Sequence, residues 1–104
     1  MKNNQIDHGI STEDKDKIIG LLKLLFPQAK IYLFGSRVRG THSTFSDIDV
    51  AVDTGDKIPL YAINEAKSML AESNIVYTID VVDLHRIPQK MKDMILYEGI
   101  LWIS

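Results

Sequence analysis

The sequence predicts an α/β fold of the α+β type, with a mixed β-sheet and helices packed mainly on one face. Three observations predict it. The run Ile31-Tyr32-Leu33-Phe34 is apolar at every position, as a fully buried strand requires. Asp47 to Val52 alternates strictly, with Ile48, Val50 and Val52 on one parity and Asp47 and Asp49 on the other, and a third strand pattern runs over 75–84. Around and between these stretches, three segments carry apolar residues at helical spacing. With 104 residues and 45% apolar composition, the chain suits one domain with one core.

Taken in order, residues 1–10 are polar, and a flexible N-terminus is expected over 1–11. Ser11 with Asp14 three positions on forms a capping-box pattern. Ile18, Leu21, Leu22 and Leu25 then follow at helical spacing until Pro27 stops the run, giving a core-packing helix over 12–26. After the strand at 31–34, residues 36–40 are expected to form a brief helical turn and 40–46 a polar connection. The acid-bearing strand ends in a turn at 53–57. Pro59 opens a helix whose stripe is Leu60, Ile63, Ala66, Met69 and Leu70, ending near residue 74. Past the strand at 75–84, a last helix has Pro88 in its first turn, Met91, Met94 and Ile95 inward, and Gly99 as its stop. Residues 100–104 are apolar enough to add an edge strand or to bury Trp102 against the helices; an exposed Trp102 would instead mark a partner surface.

Composition excludes several classes. A formal charge of −2 argues against a broad nucleic-acid-binding surface, so direct binding of a polynucleotide is not expected. The absence of cysteine removes disulfide scaffolds and thiolate metal sites. No apolar stretch is long enough to cross a bilayer, and the first residues, MKNNQIDHG, lack the apolar core of a signal peptide. A cytoplasmic protein is expected, with no membrane contact; self-association is left open.

The chemistry concentrates in GSRVRGTHSTFSDID, residues 35–49. Gly35 has no Cβ, so the backbone can turn sharply and admit a bulky anion, and Ser36 starts a turn whose free N–H groups favour phosphate. Asp47 and Asp49, two apart on one strand face, have Cα atoms roughly 6.5–7 Å apart, a spacing that lets both carboxylates serve one cation or a cation pair. Asp80 stands mid-strand between Thr78 and Val82, where an unpartnered carboxylate costs several kcal/mol and so needs a cation or strong donors. Its alternative is a hydrogen-bonded structural acid. Asp83 falls on the other parity at the strand end and is expected to face water. Arg37 and Arg39 are surface residues by default, but beside a phosphate cradle their planar forks suit triphosphate oxygens. His42, without a partner at ligand spacing, is expected to be solvated.

Gly35-Ser36, ten intervening residues and Asp47-Ile48-Asp49, set between two apolar strands, resemble the signature of nucleotidyltransferases with the DNA polymerase beta-like fold. GSRVRG with SDIDVAV is most similar to the minimal nucleotidyltransferases, small catalytic modules often paired with a HEPN-type helical protein. The likeness runs from residue 12 to the end and includes TIDVVDL, which matches the family's third acid at Asp80. It implies a nucleotidyltransferase fold over 12–104. It also implies that a nucleoside triphosphate rests its β- and γ-phosphates at Gly35 and Ser36, while two Mg²⁺ ions (or Mn²⁺) held by Asp47, Asp49 and Asp80 flank the α-phosphate. Asp80 would lie nearest the incoming hydroxyl and assist its deprotonation. By the same likeness ATP is the donor, and AMP passes to a tyrosine hydroxyl of a HEPN toxin. Larger relatives carry a second, helical domain for the acceptor; none is expected here, so another molecule is expected to supply the acceptor pocket. Two alternatives stay open, a small-molecule acceptor held by a separate subunit and an antitoxin that acts by binding alone.

Overall fold

The computed structural model describes residues 6–103, with side chains from residue 8. Residues 1–5 of the expected flexible N-terminus lie outside it, whereas residues 6–11 form a hairpin, β1 (Ile6–Asp7) with β2 (Ile10–Ser11). Ile10 explains the pairing, because it is buried in the main core and fixes β2 beneath α1 (Thr12–Leu25). The Ser11 hydroxyl accepts the Asp14 N–H at 3.1 Å, so the cap read from the sequence starts the helix where expected.

The sheet has four strands, in the order β5 (Ile79–Asp83), β4 (Ile48–Asp53), β3 (Lys30–Phe34) and β6 (Ile100–Ile103). β3 pairs antiparallel with both β4 and β6, and β4 pairs parallel with β5. A parallel pair needs a crossover, which α3 (Leu60–Ala71) supplies. The apolar tail thus becomes an edge strand, and Trp102 is half-buried with the Lys15 ammonium over its ring. α3 and β5 are each shorter than the sequence suggests, and residues 72–78 form a turn-rich connection between them.

Strand parity divides the core. Ile31, Leu33, Ile48, Val50, Val52 and Val81 point to one face, where Ile18 and Leu22 of α1 and Ile63, Ala66 and Leu70 of α3 cover them. On the other face Phe34, Ala51 and Leu84 pack against Ile95 of α4 (Gln89–Glu98), with Met91 and Met94 alongside. Two long helices therefore lie on one face, as expected. The third lies on the acid-bearing face and covers only part of it.

One sequence expectation is corrected here. Asp83, expected in water, is only 4% exposed. Its Oδ2 accepts the Ile58 N–H at 2.7 Å and its Oδ1 the His85 N–H at 2.9 Å, with Arg86 Nε at 3.5 Å. The carboxylate thus ties the loop before α3 to the end of β5. Asp83→Ala is expected to cost about 2–4 kcal/mol, because it leaves the buried Ile58 N–H without an acceptor. Chemical denaturation would show the loss as a lower midpoint; an unchanged midpoint would mean that the loop is held by other contacts.

Candidate active site

β3 ends at Phe34, and the chain reverses at Gly35 into the single turn α2 (Ser36–Arg39). Gly35 has φ +88° and ψ −155°, a conformation essentially confined to glycine. A Cβ built there would collide with Asp49 Oδ2. The missing side chain thus lets the Asp49 carboxylate lie directly against the turn. Register explains the meeting, since Phe34 is the antiparallel partner of Asp49.

On its other side Asp49 is the parallel partner of Asp80, and both residues share the face opposite the α1–α3 core. Asp49 and Asp80 are therefore direct neighbours across the parallel pair, their backbones roughly 4.8 Å apart, and the Gly35 turn, one residue beyond β3, lies against the Asp49 carboxylate. Asp47 stands one residue before β4 at the open end of this face. Asp47 and Asp80 are exposed and Asp49 is half-buried. Burial above all, then repulsion from Asp80 and Asp47, pushes the Asp49 carboxyl above its ordinary value, and the charges of Arg37 and Arg39 only partly oppose this.

The three acids are thus electrostatic neighbours. Among the described residues, however, no three His, Cys, Asp or Glu side chains are gathered closely enough to hold a metal ion. Like-charged carboxylates repel, and a divalent cation is what would draw them inward. The donor set fits such an ion. It is all hard oxygen, which suits magnesium or manganese over zinc, and its central member cannot ionise without cost. Asp53 lies further along the same strand face but is already engaged, with His85 Nε2 at 2.7 Å from its Oδ1. Burial would push the Asp53 carboxyl up, yet the His85 ring, the Gly55 N–H and the Lys30 charge outweigh it and hold it below its ordinary value.

The two arginines separate. Arg39 is half-exposed on the acid-bearing side, where its Nε donates to Glu98 Oε1 of α4 at 3.0 Å. An exposed pair of this kind contributes at most about 1 kcal/mol, so the guanidinium is free to exchange Glu98 for another anion. Arg37 is buried, 1% exposed. Its Nη1 donates to the His8 carbonyl at 3.0 Å and its Nη2 to the Ser46 carbonyl at 2.7 Å, and it lies 4.7 Å from the Tyr77 ring centroid. Its fork faces protein carbonyls, contrary to the triphosphate contact expected for it. His42 is not freely solvated either; it is half-buried, with Nδ1 inaccessible and its ring against Gly9. Sequence reasoning had no local signal for Tyr77, whose role depends on Arg37 reaching it from 40 residues away.

A family model described as Polymerase beta, Nucleotidyltransferase matches residues 16–104. The chain is 26% identical over 86 residues to a probable protein adenylyltransferase MntA of Haemophilus influenzae, covering 83% of this chain and 75% of that one. It is 36% identical over 87 residues to the protein adenylyltransferase MntA of Shewanella oneidensis, covering 83% of this chain but only 62% of that one. Among solved structures, it superposes with TM-score 0.76 and 34% identity on a chain of a toxin–antitoxin crystallised with AMP-PNP, covering 88% and 73% of the two chains. It also superposes with TM-score 0.68 and 31% identity on a chain of the complex of tri-AMPylated Shewanella oneidensis HEPN toxin with MNT antitoxin, covering 86% and 69%.

Proposed function

The chain belongs to the polymerase beta nucleotidyltransferase family, and on that premise we propose that it transfers AMP from ATP to a tyrosine hydroxyl of a HEPN-type helical partner, acting in the cytoplasm as the antitoxin of that partner. One observation carries this reading: Asp49 and Asp80 are paired across β4 and β5, the Gly35 turn that follows β3 lies against the Asp49 carboxylate, and Asp47 stands just before β4 on the same face. The likeness to protein adenylyltransferases supports the donor and the reaction. The likeness to a complex holding an AMPylated HEPN toxin supports the acceptor. No helix among the described residues is long and apolar enough to cross a membrane.

In this reading the β- and γ-phosphates rest at the Gly35–Ser36 turn that opens α2, ahead of the Val38 and Arg39 N–H groups, which the Gly35 carbonyl already accepts. Asp47, Asp49 and Asp80 would hold divalent cations of the magnesium class. When bound, such ions withdraw charge from the α-phosphate and from the attacking and leaving oxygens. The acceptor oxygen forms its bond to the α-phosphorus as the bond to the β-phosphate oxygen breaks, and pyrophosphate departs. Asp80, exposed on the edge strand β5, takes the phenolic proton. Arg39, held by an exposed ion pair to Glu98 and a weak contact to the Met94 sulfur, is the arginine that would turn to the triphosphate.

Incubation with α-labelled ATP, Mg²⁺ and the product of the neighbouring gene is expected to label that product on tyrosine, and EDTA is expected to prevent it. A stable complex whose partner stays unlabelled would make the chain a binding module instead.

A further inference from the structure

We propose that Arg37 is the positioning residue of this site, its guanidinium holding in mutual register the segments that carry the glycine turn, Asp47 and Asp80. Each connection is visible. Arg37 belongs to α2, directly after Gly35 and Ser36. Its Nη2 donates to the carbonyls of Ser46 at 2.7 Å and Thr44 at 3.4 Å, the residues that lead into Asp47. Its flat face lies on Tyr77, three residues before Asp80, at 4.7 Å from the ring centroid. Its Nη1 donates to the His8 carbonyl at 3.0 Å, which closes the hairpin over the other side.

The choice of side chain is informative. Burying a cation costs several kcal/mol even after relaxation, and an apolar residue of similar size often fills such a space more cheaply. A lysine would bring the charge but not the planar fork that reaches two segments at once while stacking on a third. The carbonyls and the ring thus offset part of the burial, and only for a group of this shape, since the buried Nε has no hydrogen-bond partner among the described residues. Groups set one step behind metal-binding side chains in this way commonly change metal affinity by about 10–100-fold when replaced.

The proposal rests on the nucleotidyl-transfer reading for its catalytic consequence but not for its metal readout. Arg37→Lys keeps the charge and loses the fork. It is expected to weaken Mn²⁺ binding, measured by calorimetry on the full chain, by roughly tenfold. It should also lower kcat by a similar factor, with KM for ATP changed less than about threefold. Gly9→Ala provides a second route to the same displacement with the Arg37 side chain itself unaltered, because its Cβ would press on Arg37 Nη1 at 2.6 Å and on His42 Nε2 at 2.9 Å, with the φ of +76° adding strain in the hairpin. The same direction and a smaller size are expected. Wild-type Mn²⁺ affinity in either variant would overturn the proposal, as would a rise in KM for ATP with kcat unchanged, since that would mean Arg37 touches the nucleotide. If the wild-type protein labels no partner and Arg37→Lys still loses Mn²⁺ affinity, the acceptor reading fails and the positioning role stands.

Discussion

Asp49→Asn is expected to reduce transfer of AMP by about 10³-fold or more while leaving the metal-free protein at least as stable as its parent. The two halves have one cause. Asp49 is the central acid, flanked by Asp80 across the parallel register and by Asp47 two residues back, and its carboxylate lies against Gly35. The amide keeps the shape but cannot serve as an anionic ligand. It also removes the central charge of a mutually repelling set. The pH dependence follows by sign. Burial, then repulsion from Asp80 and Asp47, raises the folded-state value above the ordinary 3.8. The native state therefore binds this proton more readily than the unfolded chain, and ionised Asp49 is a standing cost at neutral pH. In EDTA, the parent should gain stability as pH falls from above the raised value towards 3.8, and Asp49→Asn should lack that gain. Thermal unfolding in EDTA and in Mg²⁺ checks this, with Mg²⁺ raising the midpoint of the parent but not of the variant. A variant clearly less stable than its parent in EDTA would mean that the carboxylate is a structural hydrogen-bond acceptor and not a strained ligand.

What could be read in the sequence, and what could not, divides by the range of the interactions involved. Asp47 and Asp49 were legible because a half-buried strand writes its parity in consecutive residues, and Ile48, Val50 and Val52 are all fully buried. Asp80 does pair opposite Asp49, but the burial cost that singled it out is absent, because it is the second residue of the edge strand β5 and is exposed. Asp83 was misread by the same local reasoning, since its principal donor, the Ile58 N–H, comes from 25 residues away. Arg37 failed in the same way. Its position beside Gly35 suggested phosphate, but the carbonyls that claim it belong to residues 8, 44 and 46, and no sequence pattern brings those together. The periodicity of α4 showed that it buries a stripe without showing against which sheet face, because both faces offered apolar residues. That ambiguity matters to the site, since α4 brings Glu98 to Arg39 and packs on Phe34 and Ala51 of the acid-bearing face.

Gly35→Ala is expected to combine a large loss of activity, about 10²-fold or more, with destabilisation of roughly 2–4 kcal/mol. Two separable costs add. The backbone at φ +88° and ψ −155° lies where only glycine rests without strain, worth about 1–3 kcal/mol for any other residue. The new methyl must also displace the Asp49 carboxylate, because the built Cβ collides with Asp49 Oδ2. In a domain of this size, each kcal/mol lowers the melting midpoint by roughly 4–8 °C, so the combined effect is readily measured. A double-mutant cycle separates the two costs. Placed in an Asp49→Ala background, Gly35→Ala no longer meets the carboxylate, and only the backbone strain should remain. The destabilisation should therefore be smaller there than in the parent, with a favourable coupling between the two substitutions. Strict additivity would show that the glycine is present for its backbone alone, and that the close approach of Asp49 to the turn contributes nothing to the fold. A coupling of about 1 kcal/mol or more would show that the turn and the central acid are built around each other. The glycine turn and the acid-bearing strand would then be one structural unit, and no residue with a side chain could replace Gly35 without displacing the Asp49 carboxylate.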